Sequence, residues 1–146
     1  MRLLKQLSVV SLLLLGASHS LFGQGLFSGG DGSKSNPYQI ATEQDLRTLA
    51  DQVDKSNSFA GKYLKQTADI TFSEGTPVLP IGGPLTDGFH RDENRCFQGE
   101  YDGGMHKIYN LNIYDSEQLI VEGDEAHMAV GLFGALGPQA TVKNVV

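Results

Sequence analysis

Four side chains with chemical potential crowd into one short stretch: His90, Asp92, Glu93 and Cys96. Imidazole, carboxylate and thiolate are the groups that ligate zinc, and a thiol beside an imidazole is the core of a nucleophile–base pair. The spacing supports neither reading. His-x5-Cys matches no common metal motif, and Cys96 is the sole cysteine, so no second Cys/His pair completes a tetrahedral site. The stretch reads instead as a solvated charged loop leading into a strand, with Cys96 tucked inside as a small apolar residue. No metal, cofactor or catalytic residue is expected.

The remaining candidates weaken in the same way. His106 follows a glycine turn at the start of a strand, where an imidazole can bond backbone groups of the turn. His127 lies in the charged insertion Glu122–His127. Residues 29–36, Gly-Gly-Asp-Gly-Ser-Lys-Ser-Asn, suggest a calcium loop, but Asn36 stands where the glycine belongs and Thr42 where the bidentate Glu belongs. Gly131-Leu-Phe-Gly134 and Gly29-Gly-Asp-Gly32 lack the strand–glycine–helix setting and the Lys of a phosphate cradle. No acid/base carboxylate pair and no Ser/His/Asp constellation can be assembled from the spacing.

The elements that would position any site are mostly extended. Phe97 to Ile113 reads as a strand, a tight turn at Asp102-Gly103-Gly104 and a second strand with Ile108, Leu111 and Ile113 among asparagines. Tyr38–Ile40 is a short strand. Lys62 to Phe72 is extended, with Tyr63, Ala68, Ile70 and Phe72 expected to point inward. One helix interrupts this pattern. Thr42 supplies an N-cap hydroxyl, acidic residues follow in the first turn, and Leu46, Leu49, Ala50 and Val53 recur on one face. Such a helix is expected to cover the open end of a sheet and hide its edge.

The N-terminus has the form of a signal peptide over residues 1–23. Arg2 and Lys5 precede an aliphatic run from Leu7 to Gly16, followed by small residues, and cleavage after Ser20 or after Gly23 would suit. The run is too short for a membrane span, which needs roughly 20 residues. Export removes Arg2 and Lys5, so the formal charge of −6 becomes −8. An acidic chain without a basic patch has no electrostatic attraction for nucleic acid. A single cysteine excludes an internal disulfide framework, and 18 glycines without tryptophan suit a turn-rich β protein.

Three segments in order resemble the N-terminal part of exported bacterial proteins carrying GLUG motifs. They are Asn36-Pro-Tyr-Gln-Ile with the Thr42 helix and Phe59-Ala-Gly-Lys-Tyr; Phe97 to Ile113; and Val130-Gly-Leu-Phe-Gly134 with Ala140-Thr-Val-Lys-Asn-Val145. Gly131-Leu132-Phe133-Gly134 is the motif that names the group. The resemblance implies a mainly β fold, a right-handed parallel β-helix beginning with a capping α-helix, and no catalytic residue travels with it. The sequence departs from the pattern through polar insertions around 87–94 and 117–127.

The expected organisation is a signal peptide over 1–23, a flexible lead-in over 24–37, and the cap and first coils over 38–146. Ile108-Tyr-Asn-Leu-Asn and Val142-Lys-Asn-Val-Val align at an offset of 34 residues (108 to 142), as neighbouring coils would. The sequence stops in mid-strand at Asn144-Val-Val, and is expected to be a piece of a longer protein whose open strand could self-associate.

The expected function is a non-enzymatic, extracellular or cell-surface structural or adhesion module, not an integral membrane protein, binding an extracellular glycan or protein ligand. The alternative is the start of a β-helix polysaccharide lyase or hydrolase, with Asp69, Asp102 and Lys107 beginning its column of active residues, or the non-catalytic region of a large secreted peptidase.

Overall fold

The computed structural model describes residues 25–82, 95–113 and 131–146. The expected signal peptide, the loop residues His90, Asp92 and Glu93, and His127 lie outside them.

Thr42 separates strand β1 (Tyr38–Ile40) from helix α1 (Glu43–Asp54). Its backbone is extended (φ −133°, ψ 160°), and its hydroxyl accepts from the Asp45 N–H while the Asp45 carboxylate accepts from the Thr42 N–H. This reciprocal capping box satisfies two donors that a helix start leaves without partners. Leu46, Leu49, Ala50 and Val53 are all buried, as their spacing predicts. Each large aliphatic so placed contributes about 1.5–3 kcal/mol by leaving water. Arg47, on the flank, pairs with Glu43 at 2.8 Å, donates to the Thr76 and Pro77 carbonyls, and lies 5.5 Å over the Phe72 ring. The helix is thereby strapped to the extended chain that follows it.

Five further strands are short: β2 (Tyr63–Gln66), β3 (Ile70–Thr71), β4 (Glu100–Asp102), β5 (Ile108–Tyr109) and β6 (Thr141–Lys143). They form a four-stranded sheet in the order β1-β2-β4-β6 and a two-stranded sheet β3-β5. All these pairs are parallel. Parallel neighbours need long crossovers, so the strand–turn–strand stretch from Phe97 to Ile113 is not a hairpin. It sends β4 to one sheet and β5 to the other. Three isolated parallel bridges continue the pattern: Val78–Ile113, Ile81–Phe133 and Phe97–Leu136.

Partners lie 37 residues apart at Tyr63–Glu100, 38 at Ile70–Ile108 and 35 at Val78–Ile113. The separation jumps to 52 at Ile81–Phe133 and returns to 39 at Phe97–Leu136 and 41 at Glu100–Thr141. Residues 114–130 therefore join the chain just before the Ile81–Phe133 rung, and residues 83–94 just after it. The 34-residue alignment does not survive. Val142 pairs with Tyr101, and the Ile108 N–H donates to Val146 O. The similarity of the two segments marks a shared left-handed backbone at Asn110 (φ 56°) and Asn144 (φ 54°), which asparagine tolerates, and not a shared rung.

Two further expectations change. Leu64 and Gln66 face inward on β2, whereas Tyr63 shares the opposite face with Lys65, because strand residues alternate and the corner at 67–69 resets the parity. The lead-in is anchored: Phe27 is buried, with its ring 5.0 Å from Tyr38 and 5.8 Å from Phe59, and the Gln39 N–H donates to Gly29 O. Its Gly/Ser/Asp composition concealed that single aromatic anchor.

Gly131-Leu-Phe-Gly134 seats against the preceding Ile81. The Ile81 N–H donates to Leu132 O, and the Gly134 N–H donates to Ile81 O. Phe133 packs 5.4 Å from Phe97 and 5.2 Å from Tyr101, ring centre to ring centre. Gly82 (φ +78°) permits this approach, because a Cβ there would sit 2.2 Å from Ala135 O.

Candidate functional site

Register brings polar side chains together on the outer face of the four-stranded sheet. Leu64, Tyr101 and Val142 fill one inward row, so the flanking residues of each strand point the other way. Gln39, Lys65, Asp102 and Lys143 form one outer row, alternating in charge along its last three members. Tyr63, Glu100 and Thr141 form the next.

Lys143, Glu100 and Asp102 satisfy one another's charges on this face. Lys143 Nζ donates to Glu100 Oε1 at 2.6 Å and lies 4.0 Å from Asp102 Oδ2. Asp102 Oδ1 accepts from Asn144 Nδ2 and from the Gly104 N–H, each at 2.9 Å. The Asn144 amide, then the Gly104 N–H, hold the Asp102 carboxyl below its ordinary value, and the hydrogen bond to Glu100 raises the Lys143 ammonium above its own. A general acid needs a raised carboxyl pKa, and Asp102 moves the other way. The face offers ionised acceptors, ammonium donors and a half-buried tyrosine, which suit recognition by hydrogen bonds.

Asp69, Asp102 and Lys107 do not form one column. Asp69 and Lys107 meet at the corner between the sheets, where Asp69 Oδ1 accepts from the Lys107 N–H at 2.9 Å and lies 3.3 Å from His106 Nδ1. These contacts, led by the Lys107 N–H, lower the Asp69 pKa. His106 thus reaches a carboxylate of the preceding rung, and its own N–H closes the turn onto Gly103 O. Cys96 is buried. Among the described residues, no group of three or more His, Cys, Asp and Glu side chains could hold a metal ion.

Gln66 and Tyr101 carry polar groups into the interior. Gln66 donates through Nε2 to the carbonyls of Ala68 (3.0 Å) and Lys107 (3.4 Å), and its Oε1 accepts from the Tyr101 hydroxyl at 3.1 Å. Burial pushes that phenol well above its ordinary value. These contacts tie successive rungs together from inside.

Lys65, Glu100 and Lys143 were missed as site residues. The signal was present in three polar–apolar–polar triplets, Tyr63-Leu-Lys65, Glu100-Tyr-Asp102 and Thr141-Val-Lys143, whose common register is visible only when the strands are stacked.

No family model matches the chain, and no solved structure matches it. A stretch of 122 residues is 29% identical to a protein of Evansella cellulosilytica named "Putative Gly-rich membrane protein". The match covers 82% of this chain and 12% of that protein, so the chain spans about an eighth of the length of this curated relative. Among the described residues, no helix is long and apolar enough to cross a membrane.

Proposed function

We propose that the chain is part of an exported, non-enzymatic structural or adhesion module, with α1 capping the start of a right-handed parallel β-helix. The observation carrying this reading is the repeated parallel rung. Tyr63, Ile70 and Val78 each meet a partner 35–38 residues later in the same chain direction. A crossover that returns to a parallel neighbour is right-handed in nearly all proteins. A stack of such rungs displays a flat, regularly spaced outer face, and here that face carries Lys65, Glu100, Asp102 and Lys143 beside Tyr63. It is suited to an extracellular glycan or protein, not to nucleic acid, given the acidic charge of the chain. A cell-surface position fits the name of the Evansella relative.

The test combines localisation with binding. Epitope-tagged protein should appear outside the cytoplasmic membrane. The purified chain should bind immobilised cell-surface glycans or matrix proteins and release no products from them. Lys65→Ala with Lys143→Ala should weaken binding at unchanged circular dichroism. Turnover of a polysaccharide that disappears with Asp102→Asn would replace this reading with the lyase or hydrolase alternative.

A further inference from the structure

Strand β1 pairs with β2 on one side, and the chain's own lead-in occupies the other. There Gln39 meets Gly29 in an antiparallel bridge, and the Gln39 N–H donates to Gly29 O at 2.8 Å. The partner of that edge donor comes from the lead-in and not from α1. Every other named pairing in the sheet is parallel, so this one reversed rung ends the stack instead of extending it.

Several contacts hold the lead-in in place. Phe27 is 7% exposed, wedged against the rings of Tyr38 and Phe59. Ser28 donates through both its N–H and its hydroxyl to the Asp45 carboxylate. Gly32 O accepts from the Tyr63 N–H at 3.0 Å, which carries the lead-in across to β2. Gly30 has a positive φ of 81°, and a Cβ there would collide with Pro37 O. A segment of largely Gly and Ser composition is thus pinned by one ring, one hydroxyl and one required glycine.

Sequence explains why β1 needs such cover. Edge strands deter pairing by carrying charges or by being covered. Tyr38-Gln39-Ile40 carries no charge, so two β1 edges set antiparallel about Gln39 would bring no like charges together. We propose that residues 27–32 are a guard strap, which fills the outward side of β1 and keeps a second copy of this chain from pairing there. With the strap displaced, two copies join through β1 about a twofold axis. The proposal goes beyond the adhesion reading and holds whether or not the outer face binds glycan.

The test uses the full chain. Phe27→Asp sets a carboxylate against two rings, and Gly30→Ala displaces the strap from a position outside the aromatic cluster. Sedimentation velocity should show a concentration-dependent species of about twice the parent's mass for both variants, with the helix signal at 222 nm retained. Excess peptide with the sequence of residues 25–33 should return both to the parent's mass. Gly29 and Gln39 face each other across the bridge, so Gly29→Cys with Gln39→Cys can be joined by a disulfide, while the native Cys96 is buried. Added to Phe27→Asp, this pair should block the larger species when oxidised and release it on reduction. Variants that keep the parent's mass overturn the proposal. So does association that neither the peptide nor the crosslink prevents, or loss of the helix signal in both variants, which would make the lead-in a part of the core and not a guard.

Discussion

Ser28 donates twice to one carboxylate: its N–H reaches Asp45 Oδ1 at 3.0 Å and its hydroxyl reaches Asp45 Oδ2 at 2.6 Å. The same Oδ2 accepts from the Ala41 and Thr42 N–H groups and the Thr42 hydroxyl. One side chain thus caps α1 and ties the segment before β1 to the helix. Asp45→Ala removes all these acceptors and leaves several donors unsatisfied, at a cost of about 2–4 kcal/mol. Ser28→Ala should cost about 1 kcal/mol. Urea denaturation followed at 222 nm measures both, and equal effects would contradict the central role given to Asp45.

Acid should destabilise the chain by protonating carboxylates that hydrogen bonds hold ionised, Asp45, Asp69 and Asp102 among them. Burial alone would raise Asp45, but the hydrogen bonds from Ser28, Ala41 and Thr42 outweigh it and hold the group below its ordinary 3.8. Asp69 and Asp102 are lowered as well. A depressed folded-state pKa means that the unfolded chain takes up protons first as pH falls. Stability is therefore full above about pH 5 and is lost as pH drops through the folded values, below about 4. Urea midpoints between pH 7 and pH 3 should stay flat and then decline. Asp45→Asn should make the decline shallower.

Gly82→Ala should destabilise by about 2 kcal/mol or more, because the position combines a positive φ with a backbone carbonyl 2.2 Å from the new methyl. Gly75→Ala provides the control. Its φ is also positive, at +75°, but nothing lies within 4 Å, so strain acts there without collision. Thermal melts of the two variants separate conformation from crowding, and identical losses would remove the close approach as a cause.

Tyr101→Phe deletes the hydroxyl that donates to Gln66 Oε1 while keeping the ring against Phe133. The buried acceptor left behind should cost about 1–3 kcal/mol. Tyr101→Phe with Gln66→Leu removes both polar partners and should recover part of that loss, giving a nonzero coupling in a double-mutant cycle.

Local physics was legible in the sequence where one segment carries the whole signal. The Thr42 cap, the buried face from Leu46 to Val53 and the strand at Tyr38–Ile40 all follow from neighbouring residues. Register was not legible, because it is a relation between distant segments. Val142 resembles Ile108 in its local sequence, yet it pairs with Tyr101. The outer-face rows were missed for the same reason, as Lys65, Asp102 and Lys143 become neighbours only through pairing. Gln66 gave no inward signal because its polarity masks a buried position, and Tyr63 misled because its ring suggested one.

The unequal spans around the Ile81–Phe133 rung have a practical consequence. Seventeen more residues precede Phe133, counted from Ile113, than precede Ile81, counted from Val78, yet the pairings on either side keep their partners. Chain length there is uncoupled from the geometry of the sheets. A search for this architecture that assumes a fixed repeat length would therefore miss it.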